Sequence, residues 1–389
     1  MNKILTLNNI SVAGLEKFPR ETYEIASEIQ HPDGILLRSF KMHDMEIPES
    51  LKAVGRAGTG VNNIPVDKMS AKGIPVFNAP GANANAVKEL VLAGMLMSAR
   101  HIGPAWEFAK NQEGTDEEIS KAVEAGKKNF GGFELPGKTL GVVGMGAIGR
   151  AIAKAAEALG MNVIGFDPGL TVADAWKIPT TVEQAASFDA MLSKVDFLTF
   201  HVPLIDVTRN MLNADRIKLL KKNATILNFA RGGIIDDAAM AEALKAGKLY
   251  GYVNDFANNT LKDVPNVITL PHLGASTQDA EDNCAIIVAE NVRNYLENGN
   301  ITLSVNFPEV SMPIAKGCHR ITIANTNVPN MLGQISSILA DANLNISDMV
   351  NKSKNDLAYT IVDVSGTVST NIVETLEAID GVLCVRVLS

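Results

Sequence analysis

The chain of 389 residues reads as an α/β protein: two doubly wound parallel sheets followed by a small ferredoxin-like βαββαβ unit. Three observations predict this. The run Thr139-Leu140-Gly141-Val142-Val143-Gly144-Met145-Gly146-Ala147-Ile148-Gly149-Arg150 joins an apolar strand to a Gly-x-Gly-x-x-Gly turn and then to a helix. On both sides of it, short apolar segments alternate with helical patterns, as strands do when crossover helices join them in a parallel sheet. After Pro308 and Pro313 the order changes to strand, helix, strand, strand, helix, strand, all within residues 317–389.

In chain order, residues 4–7, 34–37, 51–54 and 74–77 are the apolar runs of the first sheet, and 23–30 reads as an intervening helix. Residues 85–100 carry a long helical spacing. A glycine-marked break at Gly131-Gly132 and Leu135-Pro136-Gly137-Lys138 precedes the second sheet, whose strands fall at 140–143, 163–166, 197–200, 225–228, 251–254 and 267–270. Residues 278–298 are helical again, and 301–305 return the chain to the first unit. The last unit has strands near 320–324, 358–365 and 382–387, helices near 331–343 and 372–378, and one further strand between 343 and 358.

Bulk properties narrow the function. A net charge of -8 and a pI of about 5.4, without blocks of like charge, argue against nucleic acid or an anionic membrane as partner. Small ligands are expected. Cys284, Cys318 and Cys384 are odd in number and far apart, which fits a reducing cytoplasm better than a disulfide framework. The amino terminus turns polar too soon for a signal peptide, and no apolar run approaches the ~20 residues that a bilayer requires.

The glycine turn is a grip for a dinucleotide. Gly144 permits the tight turn, Gly146 lets backbone approach a pyrophosphate, and Gly149 allows close helix packing, with the helix amino terminus facing the anion. Residues 162–166 lead to Asp167, 18 positions past Gly149, where an acid accepts hydrogen bonds from the adenosine ribose. Arg231, in Asn228-Phe229-Ala230-Arg231-Gly232-Gly233, stands at the carboxyl end of a strand, where open α/β sheets bind ligands. It is either a bidentate carboxylate binder or a cap or surface ion-pair residue; the flanking glycines and the apolar strand favour the former. His272, in Pro271-His272-Leu273-Gly274-Ala275-Ser276-Thr277, follows the last strand in the same way and is the natural proton carrier. His201, which ends another strand before Pro203, lines the cofactor or simply packs.

With these pieces in place the chain resembles the D-2-hydroxyacid dehydrogenase family over nearly its whole length. The resemblance rests on residues 54–64, Phe77-Asn78-Ala79-Pro80, the Gly144 loop with Asp167, the Arg231 loop, Asp255, and residues 271–277. It implies a split substrate domain (1–98 and 278–308), an inserted NAD domain (99–277) and a carboxyl-terminal ACT domain (317–389), with the active site in a cleft. It implies NAD as cofactor, contacted by Ala147, Ile148, His201, Val202, Pro203, Ala230, Gly274 and Ala275, with Asp255 on the nicotinamide amide. Arg231 and His272 become the catalytic pair. Arg56, Gly58, Thr59 and Asn78 carry over as substrate-binding residues, with Arg56 suited to a phosphate. The implied reaction is oxidation of D-3-phosphoglycerate to 3-phosphohydroxypyruvate, the entry to serine synthesis, by a homo-oligomer, dimer or tetramer.

One departure stands out: the family places a glutamate behind the histidine, and Thr260 occupies its position here, with no carboxylate until Asp263. In the last unit Asn325, Asn327 and Asn345 resemble the L-serine site of ACT domains between paired copies, although Asn325 stands where many members have histidine. Turn and cap roles explain the same three residues equally well. Two other functions share the fold: a dehydrogenase for a different D-2-hydroxyacid or 2-keto acid, and an interaction protein that senses NADH without turning it over. Retention of Arg231 and His272 speaks against the latter.

Overall fold

Strand β1 (Asn2–Leu7) is apolar enough to be flanked on both sides, by β2 (Tyr23–Ala26) and β3 (Gly34–Leu37); β4 (Ala53–Arg56) and β5 (Val76–Phe77) complete a parallel sheet in the order β2-β1-β3-β4-β5. The computed structural model describes residues 1–388, and among them the strands form three sheets. The chain divides into two units, Met1–Ala82 with everything from Glu281 onward, and Asn83–Ala280.

Residues 23–30, read as a helix from sequence, are not one. Tyr23–Ala26 is β2, in parallel register with β1 from Asn2↔Tyr23 to Leu5↔Ala26. Tyr23 is buried with its ring 4.9 Å from that of Phe18, so an aromatic anchor and a β-branched Ile25 satisfy an edge strand. Residues 27–33 hold no regular element, and His31 has a positive φ just before Pro32.

The second unit carries seven parallel strands: β6 (Thr139–Val143), β7 (Asn162–Phe166), β8 (Glu183–Gln184), β9 (Phe197–Phe200), β10 (Ala224–Asn228), β11 (Leu249–Asn254) and β12 (Val267–Thr269). Their order is β12-β11-β10-β9-β6-β7-β8. The direction of winding reverses between β6 and β9, the switch point at which doubly wound sheets bind ligands beyond their carboxyl ends. The helix Ala84–Ala99 packs on this sheet through Gly94, where an added Cβ would meet Phe229, Val253 and Leu227 at 3.1 to 3.3 Å.

The third sheet, β13 (His319–Thr326), β14 (Asn345–Lys354), β15 (Leu357–Ser365) and β16 (Val382–Leu388), is antiparallel in the order β14-β15-β13-β16. Helices Met331–Asp341 and Thr370–Glu377 cover one face with Ile335, Leu339, Ile372 and Leu376. The opposite face places Ala324, Tyr359 and Ile361 in one core with Val292, Tyr295 and Leu296 of the helix Gln278–Asn298. Polar contacts seal that junction. Arg386 donates to the carbonyls of Tyr295 (3.2 Å) and Leu296 (3.0 Å), and Tyr359 donates to that of Gly299 (2.7 Å). Two of these are the last-turn carbonyls that a helix cannot satisfy by itself, and a guanidinium also suits the negative end of its dipole. Among the described residues no helix is long and apolar enough to cross a membrane.

Candidate active site

The cofactor cradle is built where β6 runs into the helix Ala147–Ala158. Gly144 adopts φ +92°, and an added Cβ at Gly149 would stand 2.0 Å from the carbonyl oxygen of Gly144, so turn and helix can approach only without side chains. Gly146 precedes the first helical residue, and a Cβ there would meet nothing within 4 Å. The helix start at Ala147 and Ile148 therefore opens onto space that backbone N–H groups can offer to a pyrophosphate. Asp167, just past β7, is fixed: its Oδ2 accepts from Met145 N (2.9 Å) and its Oδ1 from Gly169 N (3.0 Å). His201, Val202 and Pro203 follow β9. Burial pushes the His201 pKa down to about 3, and its Nε2 lies 2.8 Å from Thr199 Oγ1. Burial thus favours the neutral form of His201 and weakens it as a base. Val202 packs on the core beside β9, and the Pro203 carbonyl accepts from Thr208 Oγ1 at 2.6 Å.

The loops after β10, β11 and β12 are tied together. Asp255 is buried; its N–H donates to the Asn228 carbonyl (3.2 Å) and its Oδ2 accepts from Gly274 N (2.9 Å). Its Oδ1 is buried with no hydrogen-bond partner among the described residues, an acceptor suited to a donor such as a carboxamide N–H. This orphan acceptor, the open space at Gly146 and the fixed Asp167 together fit a dinucleotide. Arg231 is exposed at its loop tip, with Nη1 donating to the Ala230 carbonyl at 2.7 Å. His272 is exposed too and has φ +57°, a strained conformation for a residue with a side chain. The ring of Phe256 lies 5.3 Å from that of His272 at 65° and also rests over Gly232, next to Arg231. Gly274 is buried behind His272 and Ala275 is half-buried.

Sequence reasoning missed Asn228. It is buried at the end of β10, its Oδ1 accepting from Ala230 N (3.2 Å) and its Nδ2 donating to the Arg231 carbonyl (2.9 Å). An asparagine followed by a strand-ending arginine loop was the available signal. Thr260 is exposed in a turn, where Asn258 Nδ2 donates to Asp237 Oδ2 (2.9 Å). Among the described residues, neither Asp263 nor any other carboxylate forms an ion pair with His272.

In the first unit, Arg56, Gly58, Thr59 and Asn78 gather beyond the ends of β4 and β5. Arg56 Nε donates to the Arg38 carbonyl (3.0 Å), and Asn78 Nδ2 donates to the Thr59 carbonyl (2.6 Å). Gly58 has φ +149°, and a Cβ there would stand 2.1 Å from Arg56 Nη1, so only glycine lets the guanidinium lie across this turn. A cation, exposed backbone and an amide are thereby grouped at the carboxyl ends of parallel strands.

Asn325 and Asn327 close the end of β13. Asn325 is buried with Oδ1 unpartnered among the described residues, while Nδ2 donates to the Thr326 carbonyl (2.7 Å). Asn327 Nδ2 donates to the Asn355 carbonyl (3.2 Å). Asn345 is not with them. It pairs with Ser365 at one end of β15, whereas Asn325 pairs with Ala358 at the other, roughly 23 Å away at strand spacing.

Fold and cradle define an NAD-binding oxidoreductase of the doubly wound type, and residues 92–274 match the D-isomer specific 2-hydroxyacid dehydrogenase, NAD binding domain family. The chain is similar to D-3-phosphoglycerate dehydrogenase of Haemophilus influenzae, with 35% identity over 92% of this chain and 86% of the relative. It is 40% identical to D-3-phosphoglycerate dehydrogenase of Methanocaldococcus jannaschii over 74% of this chain and 54% of that longer protein. Among solved structures, NAD+-bound 3-phosphoglycerate dehydrogenase of Entamoeba histolytica shares the fold at a TM-score of 0.59 and 23% identity, covering 78% of this chain and 98% of that one. The chain belongs to the D-3-phosphoglycerate dehydrogenase branch of the D-2-hydroxyacid dehydrogenase family.

Proposed function

We propose that the protein oxidises D-3-phosphoglycerate to 3-phosphohydroxypyruvate reversibly, the first step of serine synthesis, in the cytoplasm. The observation that carries this reading is Arg56, held across Gly58 beside Thr59 and Asn78. A substrate with one carboxylate requires one guanidinium; a phosphorylated one rewards a second. When bound, NAD supplies the two-electron acceptor for oxidation of the secondary alcohol. Arg231 presents its planar fork to the substrate carboxylate and polarises the developing carbonyl. His272 removes the hydroxyl proton, and in the reverse direction returns it. Asp255 offers its orphan oxygen to the carboxamide, orienting the ring.

The test is NADH consumption with 3-phosphohydroxypyruvate against hydroxypyruvate and pyruvate. Arg56→Gln is expected to lower kcat/KM for the phosphorylated substrate by about 10- to 100-fold, the worth of a hydrogen bond to a charged group, and to leave hydroxypyruvate unaffected. Equal losses on both substrates would remove the phosphate role. NADH should outperform NADPH, because Asp167 repels a 2'-phosphate and Pro168-Gly169-Leu170 offer no arginine to receive it. Equal efficiency with the two cofactors contradicts the assignment of Asp167.

A second reading concerns the third sheet. The buried, unpartnered Oδ1 of Asn325 favours a small polar ligand there, and we propose L-serine, bound between paired copies of a homo-oligomer. One chain cannot assemble all three asparagines, but a second copy placed antiparallel along the open edge of β14 would bring its Asn345 towards Asn325 and Asn327. Calorimetry of the full chain should show serine binding that Asn327→Ala weakens. No heat, with an initial rate unchanged at millimolar serine, would make this sheet an assembly module only.

A further inference from the structure

We propose that Arg150 is a positioning residue for the adenosine end of the NAD site, acting through Met145 and Asp174. The inference rests on the cofactor cradle above and on contacts outside the glycine motif. Met145, the variable residue between Gly144 and Gly146, is gripped from both sides of its backbone. Its N–H donates to Asp167 Oδ2 (2.9 Å) and its carbonyl accepts from Arg150 Nη1 (3.0 Å). The direction of the Asp167 carboxylate therefore depends on a backbone segment that Arg150 helps to hold.

The same Nη1 reaches Asp174 Oδ1 at 3.3 Å. Asp174 lies in the short helix Val172–Ala175, and its other oxygen accepts from Thr171 Oγ1 at 2.8 Å. Lys177 also approaches Asp174 Oδ1 (3.1 Å), but its side chain is 61% exposed against 18% for Arg150. A screened surface pair contributes little; the enclosed guanidinium is the member that matters. Beside these residues is a cavity of about 640 Å³ whose lining includes Met145, Gly165, Asp167, Leu170, Val172 and Ala175. Arg150 thus links the floor of the cradle to the segment that follows Asp167.

Loss of the guanidinium frees the Met145 carbonyl and the 171–175 segment together. The consequence belongs to cofactor affinity rather than to turnover. The experiment is titration of NADH fluorescence on the full-length protein. Arg150→Met is expected to raise the NADH Kd about tenfold, the effect of losing one charge-assisted hydrogen bond, with kcat at saturating NADH and KM for 3-phosphohydroxypyruvate unchanged. Arg150→Lys, which keeps charge but not the fork, should fall between, and Asp174→Asn should show part of the loss. Lys177→Ala should show none. A wild-type Kd in folded Arg150→Met, or in Arg150→Lys should the first variant not fold, overturns the proposal, as does an equal loss in kcat. Wild-type protein that binds no NADH would instead defeat the cofactor reading on which it rests.

Discussion

His272→Asn is expected to lower kcat by about 100- to 10,000-fold, the usual contribution of a general base, while NADH binding measured by fluorescence stays as in the wild type. His201 also ends a strand beside the cradle, but desolvation pushes its pKa down and makes it the weaker base. His272 sits on an exposed loop, backed by the buried Gly274–Asp255 contact and flanked by the Phe256 ring. An asparagine keeps the size and hydrogen-bonding capacity but cannot accept a proton near neutral pH. It also tolerates the left-handed backbone found at this position. A fall in turnover therefore reports chemistry and not a disturbed loop. Arg231→Lys should likewise lose turnover although charge is kept, because an ammonium cannot form the bidentate pair. Near-normal kcat in His272→Asn, with the protein folded, would take the residue out of the mechanism.

Contact distance along the chain accounts for much, but not all, of what the sequence disclosed and what it hid. The glycine turn is legible because strand, turn and helix are contiguous, and Asp167 because the crossover from β6 to β7 has a characteristic length. Arg231 and His272 are legible because each directly follows an apolar strand. Asn228 was hidden because its task is to brace backbone two and three residues ahead, which looks like any polar residue ending a strand. Arg150 was hidden because its partner Asp174 is 24 residues away across a crossover. The edge strand Tyr23–Ala26 was misread since four residues hold too little periodicity to separate a strand from a helix turn. Asn325 and Asn345 belong to one expected site between paired copies, and antiparallel pairing on β15 sets them at opposite ends of a single chain's sheet. The packing of the third sheet on the helix Gln278–Asn298 was likewise invisible: its apolar residues show which face is buried, not against what.

That packing carries the second large effect. Asp363→Leu is expected to destabilise the unit that holds the third sheet by about 3 to 5 kcal/mol, the cost of leaving a buried charge without its partner. Arg320 and Asp363 are both 0% exposed, and the pair is bidentate, with Nε to Oδ1 at 2.7 Å and Nη2 to Oδ2 at 2.8 Å. Arg320 spends its remaining donors on the carbonyls of Asn298 (2.9 Å), Met312 (2.8 Å) and Pro313 (2.8 Å). Asp363 Oδ2 also accepts from Ala315 N at 2.9 Å. One ion pair thus fixes β13 and β15 to the whole segment from the end of the helix to the start of the sheet. Arg320→Met should cost as much, since it leaves a buried carboxylate with only the Ala315 N–H and three carbonyls without their donor. Combining Arg320→Met with Asp363→Leu should recover only part of the loss: two apolar side chains can replace a buried pair, but the carbonyls and the Ala315 N–H stay unsatisfied. Denaturant unfolding, followed with limited proteolysis of residues 298–318, measures this. The losses should persist at high salt, because an enclosed pair is hardly screened. A single variant that unfolds at the wild-type midpoint, with that segment still protected, would show that the pair orients the sheet without stabilising it.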